Sequence, residues 1–128
     1  MGVLLIEPQR LLARPLKRGL EEEGFSVAVA CDGAEGHVEA MTGDYEAIIL
    51  DARLPNEDGL ALLRRWRGDG LTTPVLVLSA RAGPGEKSRA LGLGADDYLA
   101  LPFALDDLLD RVRDLAGRGA PLRLAANC

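Results

Sequence analysis

Histidine and cysteine are scarce in this chain of 128 residues, which has one histidine, His37, and two cysteines, Cys31 and Cys128. A single histidine argues against a histidine-rich metal centre and against a Ser/His/Asp triad. Cysteines this far apart form neither a disulfide framework nor a metal-binding spacing, and Cys31 reads as a small buried residue. Long apolar runs are missing too. None reaches the roughly 20 residues of a membrane-spanning helix, and the amino terminus lacks the basic region and apolar stretch of a signal peptide. No membrane partner is expected, and a cytoplasmic location is the default. Nor is there an excess of positive charge: 15 Lys and Arg stand against 20 Asp and Glu, a formal net charge of −5. That balance argues against this domain gripping a nucleic-acid backbone itself.

What is present is the composition of one globular domain, 48% hydrophobic and 27% charged. A chain of this length buries roughly two thirds of its unfolded surface and needs no disulfide or metal staple. Five short apolar runs recur: Val3-Leu4-Leu5-Ile6, residues 25–30, Ala47-Ile48-Ile49-Leu50, Val75-Leu76-Val77-Leu78 and Tyr98-Leu99-Ala100-Leu101. Most are continuous rather than alternating, as in strands buried on both faces. The segments between them read as helices. Leu12, Leu16 and Leu20 form one stripe ending at Gly24, with Pro15 expected to kink the helix. Residues 34–41, 59–67 and 85–91 give three more. Leu105, Leu108, Leu109, Val112 and Leu115 stripe the last.

This alternation predicts an α/β fold: a five-stranded parallel sheet, doubly wound, with helices on both faces. Such sheets carry their sites beyond the carboxyl ends of the strands, where strand order reverses. The residues that follow the runs are therefore the informative ones. They are Glu7 and Pro8, then Asp51, then Ser79 and Ala80, and finally Leu101-Pro102-Phe103. Glu7 and Asp51 become neighbouring carboxylates with the Ser79 hydroxyl beside them. Pro8 also reads as a first-turn proline opening a helix.

With these strand ends, with Asp51-Ala-Arg-Leu-Pro55 continuing to Asp58-Gly59, and with Gly94-Ala-Asp-Asp-Tyr98, the chain resembles the response regulator receiver domains of two-component signalling. The likeness spans residues 2 to about 117. It implies a flavodoxin-like (βα)5 receiver fold over residues 1–117, with residues 118–128 as a tail or the start of a linker to an absent effector domain. Asp51 matches the aspartate that takes a phosphoryl group from a sensor histidine kinase. Glu7, Asp51 and the main-chain carbonyl of Arg53 match Mg²⁺ ligands. Ser79 and Tyr98 match the hydroxyl and aromatic switch residues, and Pro102 the proline that follows a cis peptide. No enzymatic activity is implied.

Two positions depart from the family pattern. Pro8 stands where a second acidic metal ligand is expected, and Leu101 where a lysine is expected. A phosphoryl group arriving at a carboxylate meets like-charge repulsion, which Mg²⁺ and a fixed cation relieve. Losing both contributions predicts Mg²⁺ binding that is weak or absent, and an atypical receiver with weak or no phosphorylation at Asp51. The alternatives are a conventional phosphoacceptor with a relaxed metal site, and a ligand-sensing or protein-interaction adaptor.

The charges of the fourth and fifth helices resemble those of the branch with winged-helix DNA-binding effectors, which dimerises through this face. Matching positions would pair Lys87 with Asp107, Asp97 with Arg111 and Asp96 with Arg118 across a two-fold axis. A homodimer through the fourth helix, fifth strand and fifth helix is the expectation, with transcription as the output and DNA reached only through an effector domain outside this chain. His37 and the cluster Arg64, Arg65 and Arg67 read as solvated surface. The Gly92-x-Gly94 pair reads as the end of the fourth helix rather than a dinucleotide fingerprint.

Overall fold

A computed structural model describes residues 2–80 and 83–117. In chain order the elements are β1 (Gly2–Ile6), α1 (Arg10–Glu22), β2 (Ser26–Ala30), α2 (Gly33–Thr42), β3 (Ala47–Asp51), β4 (Arg53–Leu54), β5 (Glu57–Asp58), α3 (Gly59–Gly68), β6 (Val75–Ser79), α4 (Glu86–Gly92), β7 (Asp97–Ala100) and α5 (Leu105–Ala116). The five apolar runs are the five strands of one parallel sheet, ordered β2-β1-β3-β6-β7. This is the doubly wound sheet expected from the alternation. The order reverses between β1 and β3, so the ends of those two strands form the switch-point crevice. Among the described residues, no helix is long and apolar enough to cross a membrane.

Continuous apolar strands are buried twice because successive side chains face opposite ways. Leu4, Ile6, Ile48, Leu50, Val75 and Val77 pack on one side with Leu60, Leu63 and Trp66 of α3 and Ala90 of α4. Val3, Leu5, Ile49, Leu76 and Leu78 pack on the other with Leu16 and Leu20 of α1 and Leu108, Val112 and Leu115 of α5. Each such side chain contributes roughly 1.5–3 kcal/mol when fully buried. The sheet is thereby a rigid plate whose edges carry the polar groups.

Several local expectations are corrected. Pro8 precedes the helix instead of opening it: Gln9 is the N-cap and α1 starts at Arg10. Pro15 lies inside α1, as the leucine stripe implied. Cys31 is exposed rather than buried, because it leaves the end of the edge strand β2. His37 is half-buried: the indole N–H of the buried Trp66 donates to its Nδ1 at 3.0 Å, tying α3 to α2. Since indole nitrogen only donates, Nδ1 of His37 is the acceptor in this bond. Arg67 is no solvated residue either. Its guanidinium donates to the carbonyls of Gly94, Leu71 and Thr73 and to Asp96. The close of α4 is as expected: the helix ends at Gly92, and Gly94 takes a φ of 112° that favours glycine.

Candidate functional site

Strand register alone brings the site residues together. Ile6 pairs with Leu50, so the next residues, Glu7 and Asp51, lie side by side. Asp51 pairs with Leu78, and Ser79 with Ala100 of β7, two residues beyond Tyr98. Glu7, Asp51 and Ser79 are withdrawn from solvent, at 1%, 8% and 2% exposure. The peptide between Leu101 and Pro102 is cis, as the sequence implied.

A tight return of the chain shapes the floor beneath Asp51. The Arg53 N–H donates to Asp51 Oδ1 at 2.7 Å. The segment then turns through the β4–β5 hairpin, with Asn56 at a φ of 60°, and Asp58 caps α3 by accepting from Leu60 N at 2.9 Å. Gly59 closes the loop with its N–H on the Ala52 carbonyl. A Cβ at Gly59 would lie 2.2 Å from the Asp51 carbonyl oxygen, so the return is open to glycine alone.

The two carboxyl groups are an uneasy pair. Glu7 accepts from the Gln9 N–H through Oε2, while its buried Oε1 has no hydrogen-bond partner. Burial first, and then the hydrogen bond and charge of Asp51, push the Glu7 carboxyl up to about 8. The orphan and the shift have one explanation. Two ionised carboxylates are both acceptors and cannot bond; a protonated Glu7 can donate to Asp51. Among the described residues, no cation acts on Glu7 to offset this. Leu101 adds none: its side chain is apolar, and its own N–H is on the Ser79 carbonyl.

These oxygens are donors of the kind that a hard dication takes, and a dication would give the orphaned Oε1 its partner. The set is reduced, however. Pro8 supplies no side-chain ligand, and among the described residues no three acidic, histidine or cysteine groups gather as a metal-binding cluster. Glu7 and Asp51 with the Arg53 carbonyl therefore fit such an ion only with water completing its shell.

Tyr98 is buried and faces α4. Its hydroxyl donates to Glu86 Oε1 at 2.6 Å. Burial and Glu86 push its ionisation up, while a hydrogen bond with Ser79 acts the other way. Ser79, Tyr98 and Glu86 thus form a polar line from the Asp51 edge into the first turn of α4. Glu86 was not foreseen in the sequence; it sits 12 residues before Tyr98, with no motif to mark it. Beside this line, Arg89 of α4 reaches Asp58 at 3.7 Å across a pocket that Arg53 also lines.

The charges expected to bridge two subunits are partnered within the chain. Arg111 binds Asp97 at 2.7 Å and Asp107 at 2.9 Å, and Asp96 binds Arg67 at 2.9 Å. The opposite signs meet each other within the chain. Lys87 is exposed and in no ion pair among the described residues. Arg118 lies outside the described residues, as does the tail of which it is part.

Residues 3–113 match the response regulator receiver domain family. The transcriptional regulatory protein CusR of Escherichia coli strain K12 is 43% identical over 120 residues, covering 94% of this chain and 53% of that protein. The chain thus spans about half the length of the curated relatives it matches. Among solved structures, the receiver domain of the Francisella response regulator 1452 superposes with a TM-score of 0.88 at 36% identity, covering 92% of this chain and 98% of that one. A response regulator protein from Burkholderia pseudomallei, solved with a phosphorylated aspartic acid and a calcium ion, has a TM-score of 0.80 at 28% identity, covering 99% of this chain and 75% of the other.

Proposed function

Because the chain belongs to the response regulator receiver domain family, we propose that it is the phosphoacceptor module of a cytoplasmic two-component regulator of transcription. Asp51 takes a phosphoryl group from a sensor histidine kinase, and an effector domain beyond this chain contacts DNA. The observation that carries this reading is the placement of Asp51 at the end of the central strand β3, beside buried Glu7 and in line with Ser79 and Tyr98. The Burkholderia protein, with its phosphorylated aspartic acid and calcium ion, supports it.

The Arg53 N–H engages Oδ1 and leaves Oδ2 of Asp51 as the attacking oxygen. The new O–P bond replaces the P–N bond of the phosphohistidine, and the leaving imidazole takes a proton from solvent. Glu7, Asp51 and the Arg53 carbonyl would hold Mg²⁺, which when bound neutralises charge between carboxylate and phosphoryl oxygens. Binding is weak, since Pro8 offers no oxygen and Glu7 must first release a proton that it keeps up to about pH 8. Among the described residues, no cation acts on Glu7 in place of the lysine that the family pattern expects at position 101. Phosphorylation at Asp51 is therefore slow. The Ser79 hydroxyl, drawn to the phosphoryl group, loosens its bond to Tyr98 and the hold of Tyr98 on Glu86.

Mass measurement after incubation with acetyl phosphate and Mg²⁺ tests this. A slow gain of one phosphoryl group that Asp51→Asn abolishes, and that Pro8→Asp with Leu101→Lys accelerates, is expected. Phosphorylation that survives Asp51→Asn would sink the assignment.

A homodimer through α4, β7 and α5 is the second part of the reading. Leu91 of α4 exposes apolar surface, and Lys87 of the same helix is exposed and in no ion pair among the described residues. The Arg111 pairs with Asp97 and Asp107 have to be shared or exchanged on assembly, which keeps the dimer weak and salt-sensitive. Sedimentation at low salt reads the state directly; a monomer at high protein concentration removes this part.

A further inference from the structure

The edge of the sheet opposite Asp51 holds a second unsatisfied carboxylate. Glu46 sits just before β3, and its buried Oε2 has no hydrogen-bond partner. It lines a pocket of about 260 Å³ together with Tyr45, Thr73, Pro74, Leu115 and Ala116. The lining is mixed: Pro74, Leu115 and Ala116 are apolar, and Tyr45, Thr72, Thr73 and this acid are polar. No ion pair among the described residues includes Glu46. A carboxylate oxygen buried without a donor is costly, and it calls for a cation or a hydrogen-bond donor.

We propose that this pocket receives the chain's own segment 118–124, with the guanidinium of Arg118 or Arg123 on the Glu46 carboxylate. The chain leaves α5 at Gly117, directly after Leu115 and Ala116 of the pocket wall. The segment reads Arg-Gly-Ala-Pro-Leu-Arg-Leu, with two cations, no acid, and a proline and two leucines. That composition complements a pocket with an apolar wall and one half-buried acid whose Oε2 is buried. Reach is no obstacle: Arg123 is six residues past Gly117, and an extended chain covers about 3.3–3.6 Å per residue. An arginine fork binds a carboxylate through paired N–H groups, which suits an oxygen that lacks any donor. The docking is separate from the chemistry at Asp51. It fixes, on the far side of the sheet, the direction in which the chain leaves the domain.

The test uses the full chain and backbone amide spectra of Glu46→Gln, Arg118→Gln and Arg123→Gln. Expected are shifts at Tyr45, Thr72 and Thr73 in one of the two arginine variants, and reciprocal shifts in residues 118–124 in Glu46→Gln. Trypsin should also cut after the engaged arginine several-fold faster in Glu46→Gln than in the parent chain. Shifts confined to the immediate neighbours of each substitution, or equal cleavage rates, would overturn the proposal. Pocket shifts that grow with protein concentration would overturn it too, because a second copy would then supply the segment. The arginine substitutions fall outside residues 2–80 and 83–117, so their spectra remain informative even if Glu46→Gln perturbs the fold.

Discussion

Arg67 and Glu7 are both charged residue types drawn in from solvent at opposite edges of one sheet, and they are satisfied to different degrees. Arg67 spends its donors on three carbonyls and one carboxylate, tying α3 to the loops that lead into β6 and β7. Glu7 has one backbone donor for one oxygen and none for the other. A buried polar group with its partners in place holds a fold together, whereas one left short is stabilised less and is open to a new partner. The amino edge around Arg67 reads as structure. The carboxyl edge around Glu7 and Asp51 reads as a site.

The comparison is broken most severely by removing the satisfied partner. Arg67→Ala removes the cation beside Asp96 and the donors of three carbonyls in partly buried surroundings, and about 3–5 kcal/mol of unfolding free energy should be lost in urea titration. Arg67→Lys should recover little of it, because an ammonium cannot span the same acceptors. Gly59→Ala should cost about 2–3 kcal/mol, since the Asp51 carbonyl must move away from the new methyl. Glu7→Gln should act in the other direction. The Glu7 carboxyl titrates at about 8 in the folded chain against 4.5 unfolded. The folded state thus holds the extra proton in that window, and stability falls as pH rises through it. Neutral glutamine keeps a donor toward Asp51 without that loss. The variant should match the parent near pH 4 and exceed it by up to about 5 kcal/mol near pH 9. A parent whose melting temperature is no more pH-sensitive than that of the glutamine variant would contradict the shared proton. The smallest effect is expected at His37→Ala, about 1–2 kcal/mol, from leaving the buried Trp66 N–H without its acceptor.

The sheet and the residues on its carboxyl edge were legible because a continuous apolar run and the polar residue ending it are adjacent in sequence. Glu7, Asp51 and Ser79 needed only the parallel order to meet. What was not legible depended on distance or on very short elements. The bond of His37 to Trp66 and that of Arg67 to Asp96 each span 29 residues, so nothing local marks either residue as more than surface. The β4–β5 hairpin has strands of two residues, too short to show a period. Its one local signal was Pro55-Asn56, a pair suited to a turn. On α5, the signs of Asp97, Asp107 and Arg111 were readable, but a charge pattern does not say whether its partner belongs to the same chain.

The Trp66 indole has an optical consequence. It is the chain's one tryptophan, fully buried, on the helix that begins at Gly59 against the backbone of Asp51. The native protein therefore carries a single built-in fluorophore, screened from water and bonded to an imidazole. Its emission should sit at the blue end of the tryptophan range and be quenched by that ring. One emission channel then reports on α3 without any label, and tyrosine-free excitation isolates it from the rest of the molecule.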